Sequence, residues 1–500
     1  MITFKTLQPR PIFLTIILAT IILFLSSITR HLLFQSTAFE LGIYDQVAYL
    51  ISQGQTPISS FLEIHHLGNH AAWAMYPVGW LYKIYPSVYW LLIIQAICLA
   101  LGTLPTWHLA KQTGLSSKKS FAVALMYLLY PLIFNLNLFD FHPEVMALPA
   151  ILAAILAARQ DKIFWFTLAI IWVLGCKDAL SLTVGAMGFW LFFFEKKRVC
   201  GAIALGAGFA WFLIVTQSLI PYFKDGKGPG GVGRYAYLGD SVFAIIKNIF
   251  LKPNLVLGRI FSGETLVYFT LLLSPVIWWI SPQTISPFIA TIPVLAKNIL
   301  SDIDAQRDLI HQYSLPILPF LLVSVIATLQ HQSPCLGTSI NVLLGKFLPT
   351  NKSGQENNIS EDKISQISQP CFSPKFIILW SMIGFLSLAK YGYFWTIYLS
   401  SLDTLAASQT ALTYVSQKGS VLTTASFAPH LTHRSIVKLT NVDNPPSDLT
   451  IFDDILLNVQ HPGWNSTQEF ATSLVTQLHQ NSQFKLIYQQ DEVYLFQKNK

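Results

Sequence analysis

The 500-residue chain is 53% hydrophobic and 13% aromatic, yet only 11% of its residues are charged. Soluble proteins average roughly 25% charged residues, so this chain cannot cover its apolar surface in water and belongs in a bilayer. The net charge of +7 follows from the positive-inside bias of membrane loops and excludes any need for a nucleic-acid partner.

A hydrocarbon core requires about 20 apolar residues per helix, which predicts about eleven spans. They fall near 12–30, 88–110, 120–137, 143–158, 163–176, 179–194, 199–220, 265–281, 285–298, 310–330 and 376–398. The first follows Lys5 and Arg10 without a small-residue cleavage site, so it reads as a retained span and not a signal peptide. The fifth, sixth and ninth are short enough to be tilted or partly re-entrant. With the N-terminus in the cytoplasm, Lys111, Lys118, Lys119, Arg159, Lys162 and Lys196 to Arg198 all fall inside, as the loop charge bias requires. Loops 31–87 and 221–264 then face outward, and the Ser/Asn/Gln/Glu-rich stretch 331–375 is expected to be a disordered cytoplasmic loop. Residues 1–398 would form a mainly α, polytopic helix bundle.

Residues 399–500 change character. Short strands are predicted at 419–425, 435–439, 449–452, 484–488 and 493–496, with an amphipathic helix over Thr467–His479. That alternation predicts a small extracytoplasmic α/β domain. No glycine-rich turn follows its strands, so it should bind no nucleotide. Asn465-Ser-Thr fits a glycosylation acceptor. Five cysteines in unpaired spacing indicate neither a disulfide framework nor a zinc site.

Ionisable residues gather at turns assigned to the outer side. Glu40 and Asp45 lie in F-E-L-G-I-Y-D-Q (39–46), just past the first span. Gly42 permits a bend between them; without one, the two carboxylates would point about 140° apart. Asp45 sits among apolar neighbours, where a stray charge is costly. The segment Glu63 to His70 holds His65, His66 and His70 without the spacing of a known metal signature. A substrate contact, a structural loop and a divalent cation remain open there, and no metal ligand is assigned. In Asp140-Phe-His142-Pro143-Glu144, the proline suits the first turn of a helix, whose free N–H groups make an anion site. Capping accounts for one carboxylate, but not for three ionisable groups within five residues. Lys177-Asp178 interrupts the apolar run 163–194 as a hairpin tip or a functional pair. The loop Lys224 to Tyr235 lacks P-loop spacing; its Arg234 could grip a phosphate through bidentate donors. Arg307, His311 and Tyr313 open the tenth span, with Arg307 and His311 on one helical face.

Taken in order, L-G-I-Y-D-Q, L-G-N-H, N-L-F-D-F-H-P, Lys177-Asp178, H-Q-Y-S-L-P and P-H-L-T-H-R (429–434) resemble a family of bacterial multipass membrane proteins of unknown function grouped with the GT-C glycosyltransferases. The resemblance implies a helix bundle in the bacterial inner membrane with its site on the extracytoplasmic face and a polyprenyl-phosphate sugar as donor. It places the activating carboxylate at Asp45 and offers Lys177, Arg234 and Arg307 for the lipid phosphate. Glu40 stands where Asp is usual in the family, Asn69 where Asp precedes the histidine, and Ala179 where a second acid is common.

The expectation is therefore an integral membrane glycosyltransferase-like protein. Asp45, Glu40, Asp140 and His142 are its catalytic candidates. His70, Glu144, Lys177, Asp178, Arg234, Arg307, His311 and Tyr313 are its substrate-binding candidates. A transporter or lipid-binding protein without covalent chemistry, or an inactive scaffold of the same fold, is the alternative, but transporters place charges at the membrane midplane between internal repeats. Here no repeat is visible and the charges cluster at one surface.

Overall fold

In lipid, backbone N–H and C=O groups must be satisfied internally, and the apolar runs accordingly fold as helices. The computed structural model describes residues 10–339 and 370–499. Among these, five helices are long and apolar enough to cross a membrane: Arg10–Leu32, Tyr89–Gln112, Ser117–Leu138, Arg198–Phe223 and Asp304–His331. Two bent pairs also qualify, Pro253–Ile260 with Gly263–Trp279 (49°) and Pro374–Leu388 with Lys390–Thr396 (44°). Glu144–Arg159, Ile163–Cys176 and Leu180–Phe193 have 16, 14 and 14 residues, too few for a core that needs about 20. The expected ninth span does not form one helix. Pro287 and Pro293 remove backbone donors, and the run becomes a tight turn, Ser286–Thr291, followed by Ile292–Ile299.

The basic turns share one end of the bundle. Arg159 makes a bidentate pair with Glu195 (3.0 and 2.8 Å), and Lys197 meets Asp161 at 2.7 Å. Nearby, helices Leu180–Phe193 and Arg198–Ile214 touch backbone to backbone: a Cβ on Gly188 would lie 2.4 Å from the Leu205 nitrogen. Small residues allow this approach where lipid supplies no hydrophobic drive between helices. The expected cytoplasmic loop 331–375 lies mostly outside the described residues, although Cys335 and Phe372 at its edges are buried.

At the opposite end, the chain leaves Leu32 and enters a π-helical turn, Ala38–Gly42, that runs directly into helix Ile43–Ser52. Gly42 has φ −62°, so the permitted bend is not used and Glu40 and Asp45 diverge.

The C-terminal α/β domain stacks on this end. Its sheet runs Val437–Leu439, Val421–Thr423, Asp454–Asn458, Val493–Lys498 and Phe484–Gln490; the first three are parallel and the last two antiparallel to their neighbours. Side chains alternate between the two faces. Val421 and Leu456 join Ala407 and Ala411 of helix Leu405–Tyr414, while Leu422, Ile455 and Leu457 join Leu474 and Leu478 of helix Gln468–Gln480. The expected strand at 449–452 is instead a turn, Leu449–Ile451, held by Asp448 accepting from the Thr450 N–H at 2.8 Å; the strand begins at Asp454. Phe34 and Ala38 complete the Ala407 face, and Ser60 bonds both the N–H (3.0 Å) and the C=O (2.8 Å) of Val437 on the edge strand. Bundle and domain thus share one core and one protected sheet edge.

Candidate functional site

The loop after the first helix is clamped just before it reaches the site. Asp140 takes a left-handed backbone (φ 81°), and its buried carboxylate accepts from the Arg30 guanidinium, the Thr37 N–H (2.8 Å) and the Thr37 hydroxyl (3.0 Å). Three residues later, Glu40 places a carboxylate oxygen 2.8 Å from His142 Nε2; the Glu40 side chain is 26% exposed and that of His142 1%. Phe139 stacks on the imidazole (5.1 Å between centroids), and Nδ1 lies 3.2 Å from the Asp140 carbonyl. Burial works against the imidazolium, but Glu40, with Glu144 behind it, outweighs burial and raises the His142 pKa. His142 thereby orients Glu40, whose carboxylate remains partly open to a substrate.

Behind Glu40, Lys177 and Glu144 form a buried ion pair. Asp178 lies 3.2 Å from His70 Nδ1, and its N–H donates to the His70 carbonyl at 2.9 Å. Burial opposes the Asp178 carboxylate, yet His70 and then Lys177 keep its pKa low. Tyr44 draws these groups together. Burial first, then Glu144, Glu40, Asp178 and Tyr313, raise its phenol well above the usual value.

Tyr313 forms the far wall. Arg234 and Lys297 flank its ring at 5.3 and 5.9 Å from the centroid, a cation–π arrangement on both counts. Both cations are half-buried, and among the described residues neither has a carboxylate within ion-pair reach. Lys177, Asp178 and Glu144 lie close enough to act on the Lys297 charge. His311 bridges the two halves, edge-on to Phe139 at 4.3 Å and 6.3 Å from the Tyr313 ring, with Nδ1 2.6 Å from Asp308. Tyr44 and Tyr313 thus link a partly exposed carboxylate to two cations that, among the described residues, have no carboxylate within ion-pair reach, a single polar chamber of side chains.

The chamber gathers Glu40, His142, Glu144, Lys177, Asp178, His70, Arg234, His311 and Tyr313, with Asp140 as the clamp beside it. Two of the twelve candidates lie elsewhere. Asp45, 1% exposed, accepts from Tyr82 of helix Met75–Tyr82 and turns to the C-terminal domain, where it accepts from Thr432 and pairs with His433 at 3.2 Å. Arg307 is consumed by Glu264 (3.0 Å), Asp304 (2.6 Å) and the carbonyls of Asn298 and Ser301. The histidines of 63–70 also diverge: His65 stacks on Phe223, His66 Nε2 lies 2.8 Å from the Ala72 carbonyl, and Glu63 pairs with Lys438. Among the described residues no group of three or more His, Cys, Asp or Glu could hold a metal ion. Lys297 was absent from the sequence candidates. Its signal was a lysine inside an apolar run, a functional candidate by default.

Residues 30–495 match the family described as a predicted membrane protein, DUF2079. The chain belongs to that family. No curated protein matches it. In fold, this DUF2079 member is similar to ArnT, a GT-C glycosyltransferase, from Cupriavidus metallidurans. The structure of ArnT bound to undecaprenyl phosphate superposes with TM-score 0.54 at 10% identity, covering 98% of each chain. The apo form gives 0.56 at 10% identity, covering 97% of each. The DUF2079 chain is thus a membrane protein with a GT-C-like fold.

Proposed function

We propose that the protein transfers a sugar from a polyprenyl-phosphate donor to a hydroxyl acceptor at the extracytoplasmic face of the bacterial inner membrane. The observation that carries this reading is the chamber in which Glu40 faces His142 while Arg234 and Lys297 stand uncompensated around Tyr313. The acceptor hydroxyl loses its proton to the Glu40 carboxylate as its oxygen bonds the anomeric carbon. The anomeric C–O bond to phosphate breaks, and the lipid phosphate departs with the electron pair. Lys297 and Arg234 stabilise that growing charge at fixed positions. Asp45 is unsuited to this role because Tyr82, Thr432 and His433 occupy its oxygens. Lys177 contributes as the partner of Glu144 rather than as a free phosphate ligand. The likeness to ArnT in fold, and the undecaprenyl phosphate bound there, support a donor of this class.

The test is transfer from radiolabelled polyprenyl-phosphate sugars in membranes containing the wild-type protein or Glu40→Gln. The amide keeps size and hydrogen bonding while removing the base, so transfer should fall at least about 100-fold, the lower bound typical of general-base loss. Retention of the lipid donor by the variant should be unchanged. Full transfer by Glu40→Gln overturns the assignment.

A further inference from the structure

A second cavity, of about 250 Å³, opens where the C-terminal domain meets the first external loop. Phe34 and Gln35 of the loop form one side. Ser401, Ser408, Ser426 and Asn458 of the domain segment form the other, with His461 at the rim. No lysine, arginine or carboxylate lines it, so a charged ligand would leave water without compensation. The wall instead offers hydroxyl, amide and imidazole groups. Gln35 already spans the junction, donating to Ser401 Oγ at 2.8 Å, and Asn458 donates to Thr404 at 2.9 Å. His461 is steadied by Asp403 at 2.9 Å.

Two hydroxyls are left over. Ser408 is 3% exposed, and among the described residues neither it nor Ser426 makes a side-chain hydrogen bond. Neither hydroxyl is sealed off: both residues line the cavity, where a ligand's polar groups can replace water on them. Beside the cavity, Gly463 leads into Trp464, which is 61% exposed. Its indole stands edge-to-face on Phe39 at 4.7 Å, and Phe39 immediately precedes Glu40. An exposed indole next to neutral hydrogen-bonding groups offers an apolar face to the C–H side of a sugar ring, while the hydroxyls and amides bond its rim.

We propose that this cavity binds a neutral saccharide, the acceptor end of which continues past Trp464 and Phe39 towards Glu40. The proposal rests on the glycosyl-transfer reading for its acceptor role, but not for binding itself. A neutral oligosaccharide satisfies Ser408 and Ser426, needs no counter-charge, and places its growing end at the loop that carries the base.

The full-length protein in nanodiscs should be probed by saturation-transfer NMR with maltotriose, cellotriose and chitotriose. At least one should receive saturation. Ser426→Leu, which fills the cavity from its half-buried edge, should weaken that signal at least tenfold. Trp464→Ala, an exposed change, should weaken it several-fold. Retention of undecaprenyl phosphate should be unchanged in both variants, which separates a lost site from a lost fold. No saturation from any of the three sugars, or a signal indifferent to both substitutions, overturns the site. Glu40→Gln should bind the trisaccharide normally while its transfer falls at least about 100-fold. Saccharide binding without transfer from any donor would leave this site standing and remove the transfer reading. Undiminished transfer by Ser426→Leu would do the reverse.

Discussion

Glu40 and Asp45 are five positions apart and serve different partners. The unbent backbone through Gly42 sends one to His142 and the other to Thr432 and His433. The sequence showed that the two would diverge without a bend, but could not show which one met the chamber. Apolar neighbours around Asp45 signalled an expensive charge, and that expense is met by hydrogen bonds from a domain nearly 390 residues away. Asp45→Ala should therefore act on assembly before chemistry. Removing one partner of a buried charged cluster costs about 3–5 kcal/mol, so the domain should be released by limited proteolysis at protease levels the parent protein resists. Lys297 is the converse case: a cation with no carboxylate within ion-pair reach among the described residues should find its counter-charge in a ligand. Charged hydrogen bonds contribute about 1.5–3 kcal/mol, so Lys297→Met should weaken retention of undecaprenyl phosphate by about 10- to 100-fold with the fold intact. Unchanged retention would place the phosphate elsewhere.

Among the elements, P-H-L-T-H-R is the latch between bundle and domain. It was visible in the sequence as a motif, yet nothing local announced that its contacts lie on the first helix and on helices Ile43–Ser52 and Met75–Tyr82. His430 stacks on His31 at 4.1 Å, and the Arg434 carbonyl accepts from Gln46 at 3.1 Å. His433 stacks on Tyr49 at 4.9 Å, with Tyr82 edge-on at 6.0 Å and Asp45 as its counter-charge. Burial lowers the His433 pKa, but Asp45 outweighs both burial and the neighbouring Arg434 and raises it. A raised folded-state pKa contributes stability below the unfolded value of about 6.5 and loses it as pH climbs through the folded value. His430 adds no such dependence above pH 6, because burial lowers its pKa to about 4. Domain docking should thus loosen as pH rises above about 6.5 and through the raised His433 value, read as a rise in proteolytic release. In His433→Gln that rise should be absent. The legible elements were those with strong local periodicity, such as helix Gln468–Gln480 under its Thr467 cap. The strand starts at Asp454 and not at 449–452, where a turn forms, and the run 285–298 breaks at its two prolines, Pro287 and Pro293.

For the whole molecule, charge sorts by end. Arg159, Lys162 and Lys196 to Arg198 gather at turns tied by the Arg159–Glu195 and Lys197–Asp161 pairs. The chamber, the cavity beside Trp464 and the α/β domain occupy the other end. Composition made the membrane unavoidable and loop charges gave the parity of the turns. Only the tertiary fold could show that turns from 37 to 313 close around one chamber, since no local pattern encodes contacts between segments hundreds of residues apart. If the basic end is cytoplasmic, the proposed sugar transfer would take place outside, where a lipid-linked donor can be used without a soluble nucleotide. A cysteine introduced at Gly230, at an open part of the loop, or at Lys485, exposed on the domain, should then react with a membrane-impermeant maleimide on intact cells. One at Lys118, exposed at a basic turn, should react only after the membrane is opened. Labelling of Lys118→Cys in intact cells, with Gly230→Cys and Lys485→Cys protected, would invert the orientation and put the chamber in the cytoplasm. That outcome would be incompatible with an extracytoplasmic acceptor, whatever the chemistry inside the chamber.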